Sequence, residues 1–241
     1  MKYFALIVLI AFVVGLLRLL RRSPLTNLLG PKPLKEIDTT PDKPVAFGYK
    51  MSWLAVRASE PSEVIASLTI DKVQPANWAT GVDAAYDGHT FISPSIDGWV
   101  FVLSHRLPEL GHEPAVEKWT SIMRRLSTTH GEAQYFGTHR VSGFVAWSRW
   151  RSGSEERAFA YGDETLVDRG SRTPGEIELN HDYFDSNSPE AKDDAYWERT
   201  DLEHPDEEHV MEVAGKWSIN PQSLEARTTP LGCGYIGLIR T

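Results

Sequence analysis

Glycines and one cysteine near the C-terminus carry the first chemical signal in this sequence. Gly232, Gly234 and Gly237 form the string G-x-G-x-x-G, which binds dinucleotides when it joins a strand to a helix. Only four residues follow Gly237, so the helix and second strand of that motif have no room. We therefore expect a glycine-rich terminal strand or turn, and no nucleotide. No neighbouring residue would activate Cys233, which favours an unreactive thiol.

Histidine and carboxylate spacing matches no known metal motif. His204 and His209 lie five residues apart with Pro205 between them, whereas a helical zinc motif places two histidines four apart. His204 is therefore expected to lie outside the helix that carries His209. Asp182 and Asp185 lack the spacing and the central glycine of a calcium loop. The sequence predicts no metal site and no cofactor.

Acid-base chemistry stays open, because a fold can bring distant side chains together. With 33 Asp and Glu residues in the chain, no carboxylate pair can be assigned from sequence alone. The candidates for a hydrolase site assembled from distant residues are His139, His181 and Asp182.

A Trp- and Arg-rich run between Trp147 and Arg151 could stack on and clamp nucleic acid. Residues 36–241, however, contain 33 acidic and 19 basic side chains, a net charge of −14 that repels phosphate backbones. Packing of arginine on tryptophan across strands is the favoured use of this run. We expect no nucleic-acid partner.

The strongest signal is the concentration of acidic residues between Glu176 and Glu212. This acidic segment holds 14 Asp or Glu against two basic residues, Lys192 and Arg199. Such a segment steers basic partners, although a solvated loop that only improves solubility would have the same composition. Aromatic residues among the acids favour an interface with a basic protein. The residues expected to bind that partner are Tyr196, Trp197, Asp201, Glu203, Asp206, Glu207 and Glu208.

Hydrophobic periodicity predicts the elements that must position these residues. Residues 114–129 have an apolar stripe at helical spacing, and a last helix should begin near Pro205. Asp87-Gly88 and Asp97-Gly98 predict two hairpins, and alternating residues between Phe144 and Arg151 predict a strand. This order favours an α+β domain at 45–241, with an antiparallel sheet built from hairpins and a few packed helices. A propeller fragment is the alternative.

The N-terminal residues 1–22 predict a single transmembrane helix that contacts the bilayer through residues 3–20. From Tyr3 to Leu17 every residue is apolar or Gly, and no small-residue cleavage site follows. Basic residues at 18, 21 and 22 favour a cytoplasmic position for the globular domain. Five prolines in residues 23–44 predict a semi-rigid linker.

Three further strings resemble a family of uncharacterised bacterial proteins of unassigned activity. They are Phe136-Gly-Thr-His-Arg-Val with Val145-Ala-Trp-Ser-Arg-Trp, and Val213-Ala-Gly-Lys-Trp-Ser-Ile-Asn-Pro. The resemblance covers roughly residues 78–221 and implies a bacterial source, hence the inner membrane, but no catalytic residue. The sequence therefore favours a membrane-anchored acidic protein-binding module, of which an immunity-like protein that neutralises a basic toxin is one class. The alternative is a membrane-tethered hydrolase.

Overall fold

The computed structural model describes residues 30–34, 36–111 and 116–240. Residues 32–241 form one compact unit, which contains nearly all of the described residues. The predicted transmembrane helix at 1–22 lies outside the described residues. Within the described ranges, no helix is long and apolar enough to cross a membrane.

The described residues form nine strands, six α-helices and two 3₁₀ turns. The strands are β1 Ser52–Arg57, β2 Ile70–Asn77, β3 Thr90–Ile92, β4 Trp99–Leu103, β5 Glu132–His139, β6 Phe144–Arg151, β7 Ser154–Tyr161, β8 Thr165–Arg169 and β9 Cys233–Ile239. The helices are α1 Pro61–Ser67, α2 Trp78–Tyr86, α3 Val116–His130, α4 Pro174–Leu179, α5 Asp194–Trp197 and α6 Glu207–Trp217. The 3₁₀ turns are Pro189–Lys192 and Pro221–Ala226.

The nine described strands pair in one antiparallel sheet, in the order β2-β9-β3-β4-β1-β5-β6-β7-β8. The predicted α+β class with an antiparallel sheet is confirmed. Strands β5 to β8 form a meander of hairpins. Between β6 and β7 both turn residues, Ser152 and Gly153, have positive φ, as a tight two-residue hairpin requires.

One of the two predicted hairpin turns is wrong. Asp97-Gly98 does lie in the turn before β4, where Ile96 pairs with Trp99. Asp87, however, caps the C-terminus of helix α2, and Gly88 leads from that helix into β3. The Asp-Gly dipeptide ends a helix as readily as it turns a hairpin, because both need a positive φ at the glycine.

Helices cover both faces of the sheet. On one face α2 and α6 pack on Trp53, Phe101 and Phe136, and on the other face α1 and α3 pack on Leu54 and Val102. All five residues of β4 are buried, which is typical of a strand covered on both sides. The mean plane of the sheet therefore separates two apolar layers, and the acidic segment lies beside the layer that contains α6.

The Pro-rich stretch contacts the domain where it is described. Asp42 accepts hydrogen bonds from the first two amides of α2, Trp78 N at 2.7 Å and Ala79 N at 3.0 Å. Its own backbone pairs with Gly232, just before β9. Residues 36–44 therefore help to cap α2.

Candidate functional site

The acidic segment crosses from α4 to α6 as a loop whose two ends lie side by side. Asn180 ends α4 in the left-handed conformation, at φ 58°. A parallel bridge then joins Tyr183 to Glu203, and Glu203 N donates to Asp182 O at 3.0 Å. Asp206 caps α6 three residues later, so this helix begins near Pro205, as the sequence predicted. Residues 184–202 are thus held at both ends.

Trp197 is the aromatic side chain that this loop presents to solvent. Its side chain is 41% exposed, and its ring stacks on Phe184 at 5.4 Å. The indole Nε1 donates to Ala191 O at 3.0 Å, so the ring is held in place. Tyr196, by contrast, is only 7% exposed, and its hydroxyl accepts from Asp185 N at 2.7 Å. Of the two predicted aromatic anchors, Tyr196 therefore supports the loop and Trp197 is the accessible one.

Three exposed carboxylates close to Trp197 along the chain have no cationic partner among the described residues. Asp193 caps the first turn of α5, accepting from Ala195 N at 3.0 Å. Asp194 and Glu198 form no ion pair with any residue that the structure describes. We call Trp197 with these three residues the Trp197 surface.

The other five predicted partner-binding residues have partners within the chain. Their contacts are Asp201 to Arg199 at 2.5 Å, Glu203 to His181 at 2.6 Å, Asp206 to Glu208 N at 2.9 Å, Glu207 to Arg140 at 2.6 Å and Glu208 to the Tyr49 hydroxyl at 2.6 Å. The Glu208 hydrogen bond is the main cause that raises the pKa of Tyr49 to about 12. A partner would therefore compete with existing contacts at these positions.

Asp206, Glu207 and Glu208 also line an open groove of about 250 Å³ at the N-terminus of α6. Phe144 lies on its apolar side, and Arg140 on its polar side. The Glu207 carboxylate is buried against Arg140, so the accessible negative charge of the groove comes from Asp206 and Glu208.

Cations from outside the acidic segment neutralise part of it. The pairs that reach across the fold are Arg157 with Glu176, Lys216 with Glu178, Arg172 with Asp182 and Arg140 with Glu207. None of these cations lies between residues 176 and 212, so the sequence count overstates the free charge. Among the described residues of the segment, the exposed carboxylates without an ion pair include Asp193, Asp194 and Glu198, which lie within four residues of Trp197 along the chain.

Arg157 and Glu176 form a buried centre beside the acidic loop. The two side chains are 3% and 6% exposed, and Arg157 Nε donates to Glu176 Oε1 at 2.9 Å. Trp147 Nε1 donates to the same oxygen at 2.9 Å, and Thr173 N donates to Oε2 at 2.8 Å. Burial would lower the pKa of Arg157, but Asp168 and Glu176 outweigh it and raise that pKa. A cavity of about 30 Å³ beside this pair has room for roughly two waters.

Two histidines and two glutamates meet where the loop ends approach α6. His181 Nδ1 is 2.6 Å from Glu203 Oε1, and His181 Nε2 is 2.7 Å from Glu212 Oε2. His209 Nε2 is 3.2 Å from the same Glu203 oxygen. Burial would lower the pKa of His181, but the hydrogen bonds to Glu212 and Glu203 outweigh it and raise that pKa. The spacing of these residues along the chain gave no sign of the cluster.

The described contacts do not bring the three hydrolase candidates together. His139 Nδ1 lies 2.8 Å from Ser142 Oγ in the turn after β5. Asp182 pairs with Arg172 at 2.9 Å, while His181 lies between the two glutamates. Each candidate therefore has a separate set of neighbours.

The glycine string, Cys233 and the run from Trp147 to Arg151 lie in the sheet and its packing. The terminal glycine string lies in and just before β9, as the prediction of a terminal strand required. Cys233 Sγ lies 3.1 Å from Thr39 O, and burial raises the pKa of its thiol. Trp147 and Trp150 are buried in the two apolar layers, and Arg149 lies over the ring of Trp217 at 5.7 Å. The arginine-on-tryptophan packing thus involves a partner on α6.

No protein-family model, no curated protein and no solved structure matches this chain. The resemblance to an uncharacterised bacterial family stays a prediction, and the function has to be argued from the geometry.

Proposed function

We propose that the domain is a protein-binding module that recognises a basic partner through the Trp197 surface. The observation that carries the proposal is the indole ring of Trp197, which is exposed and stacked on Phe184, with the three carboxylates of the Trp197 surface close to it along the chain. Aromatic rings that are fixed before binding lose little conformational entropy, and they dominate the binding energy of many interfaces.

Charge gives the class of partner. Asp193, Asp194 and Glu198 have no cation to neutralise them among the described residues, and residues 36–241 have a net charge of −14. A field of this sign accelerates the approach of a basic protein and repels an acidic one. The groove with Asp206 and Glu208 offers a second acidic contact, where the stem of a lysine or arginine could lie against Phe144.

The membrane setting belongs to the same proposal. The apolar run from Tyr3 to Leu17 would anchor the chain in a bacterial inner membrane, with the domain in the cytoplasm. An acidic module at that place suits an immunity-like protein that neutralises a basic toxin. Reporter fusions at the C-terminus test the orientation: strong alkaline phosphatase activity with a silent cytoplasmic reporter would reverse it.

The hydrolase alternative has no observation of comparable weight. Its three candidates occupy separate contacts, and the cavity beside His181 has room for water but not for a substrate.

The binding proposal is tested by capture on the immobilised full-length chain from a bacterial lysate. We compare the wild type with Trp197→Ala and with the triple variant Asp193→Asn, Asp194→Asn, Glu198→Gln. A matched control neutralises three exposed glutamates elsewhere on the domain: Glu36→Gln, Glu60→Gln, Glu117→Gln.

We expect basic proteins to be captured by the wild type and by the control, and lost from both test variants. An anchor of about 2 kcal/mol corresponds to a loss of about 30-fold in affinity for Trp197→Ala. The triple variant should mainly slow association and flatten the salt dependence. Equal capture by the control and test variants, or no selective capture by the wild type, would refute the assignment of this surface.

A further inference from the structure

We propose that His181, Glu203 and His209 bind one divalent transition-metal ion of the zinc class. Each side chain offers one ligand atom, and the three atoms lie within 4.8 Å of one another. The nitrogens nearest to Glu203 Oε1 are His181 Nδ1 and His209 Nε2. This site is independent of the proposed binding of a basic protein.

The distances leave room for an ion after small side-chain movements. Glu203 Oε1 lies 2.6 Å from His181 Nδ1 and 3.2 Å from His209 Nε2. With metal bonds of about 2.0–2.1 Å, tetrahedral zinc holds its ligand atoms roughly 3.3 Å apart. The two imidazole rings are perpendicular, with centroids 4.3 Å apart, so their nitrogens approach the space from different directions.

The outer nitrogen of His181 provides a second argument. His181 Nε2 lies 2.7 Å from Glu212 Oε2, which can hold the proton of the ring there and leave Nδ1 to coordinate. Metal-binding histidines almost always have such a partner. His209 Nδ1 instead accepts a hydrogen bond from Asp206 N at 3.0 Å, so the proton of this ring lies on Nε2 and would be released when an ion binds there.

The ligand types favour zinc over calcium or magnesium. Two imidazoles and one carboxylate are the donor set of many zinc sites, whereas the two hard cations prefer oxygen ligands alone. The Glu203 side chain is 47% exposed and His209 9% exposed, so an ion can reach a site that is otherwise enclosed. A water from the adjoining cavity of about 30 Å³ can complete the coordination.

The position of the site in the fold defines what the ion would do. His181 and Glu203 lie at the two ends of the loop that carries Trp197, and His209 lies in the first turn of α6. One ion would therefore join both loop ends to the helix. Because the small cavity excludes a substrate, we assign the ion a structural role.

The test is a titration of the metal-free, full-length chain with zinc, using an affinity tag that contains no histidine. We expect a tightest site of one ion per chain, and a rise in the thermal midpoint on binding. His181→Gln and Glu203→Gln should each weaken that site by at least 100-fold. The control His139→Gln removes a partly buried histidine away from the cluster and should bind as the wild type does.

Two further measurements keep the proposal testable if a ligand variant fails to fold. Glu212→Gln changes only an outer partner and should weaken zinc binding by about 10–100-fold. Cobalt in place of zinc should give the visible absorption of a four-coordinate site in the wild type and lose it in Glu203→Gln. The proposal is overturned if no tight site of one ion per chain exists, or if His181→Gln and Glu212→Gln bind zinc as tightly as the wild type.

Discussion

Replacing the buried glutamate of α4, Glu176→Gln, should destabilise the domain strongly. The carboxylate accepts hydrogen bonds from Trp147 and Arg157 on one oxygen and from Thr173 on the other. Glutamine carries an NH₂ group in place of one carboxylate oxygen. Whichever way the amide is oriented, this donor group faces the donors that now bind the carboxylate. It also removes the negative charge beside a buried guanidinium.

The expected loss of stability follows from the burial of the ion pair and from the partners that Arg157 keeps. Breaking a buried ion pair costs about 3–5 kcal/mol. Arg157 keeps Asp168 and the carbonyls of Arg169 and Gly170, so we expect the lower end, about 3 kcal/mol. For a domain of this size that is a fall of roughly 6–12 °C in Tm, at about 2–4 °C per kcal/mol.

The assay is thermal and urea unfolding of the full-length chain, monitored by circular dichroism and tryptophan fluorescence. The matched control is Glu178→Gln in the same helix, whose 69% exposed carboxylate pairs with Lys216 and should contribute at most about 1 kcal/mol. A loss below about 1 kcal/mol for Glu176→Gln, or a loss equal to that of the control, would refute this account of the buried pair.

Two other substitutions test the packing and the pH response. Gly81→Ala should destabilise the domain by about 1–2 kcal/mol in urea unfolding, because the new Cβ would lie 2.1 Å from the Phe91 ring. Gly215→Ala should destabilise it less, because the new Cβ would lie 3.3 Å from Asn220 Cβ, a much smaller overlap. A more stable Gly81→Ala protein would contradict this packing. Burial, and to a smaller extent the charge of His139, lowers the pKa of His105 below its ordinary value of 6.5. The contribution of His105 to stability is therefore complete above pH 6.5 and is lost as the pH falls through the pKa of the folded state. The urea midpoint of the wild type should therefore fall more between pH 7 and pH 5 than that of His105→Gln; parallel curves would show that His105 does not contribute.

Short-range patterns were enough to predict the class of fold and several elements. The apolar stripe at 114–129 predicts α3 because helical spacing is a property of neighbouring residues. The alternation from Phe144 predicts β6 for the same reason, and the last helix was expected to begin near Pro205, where α6 starts. The Asp87-Gly88 turn was misassigned because the dipeptide leaves open whether a helix or a strand precedes it.

The tertiary structure decided the order of the strands and the surroundings of each charge. Strand β9 enters between β2 and β3, a pairing that no local pattern encodes. Within the acidic segment, the sequence determined the number of negative charges but not which of them are neutralised. Coulomb energy and metal coordination depend on distance in space, and Arg157 and His181 reach their glutamates from 19 and 22 residues away. Only the folded chain therefore separates the accessible carboxylates beside Trp197 from those held by the fold.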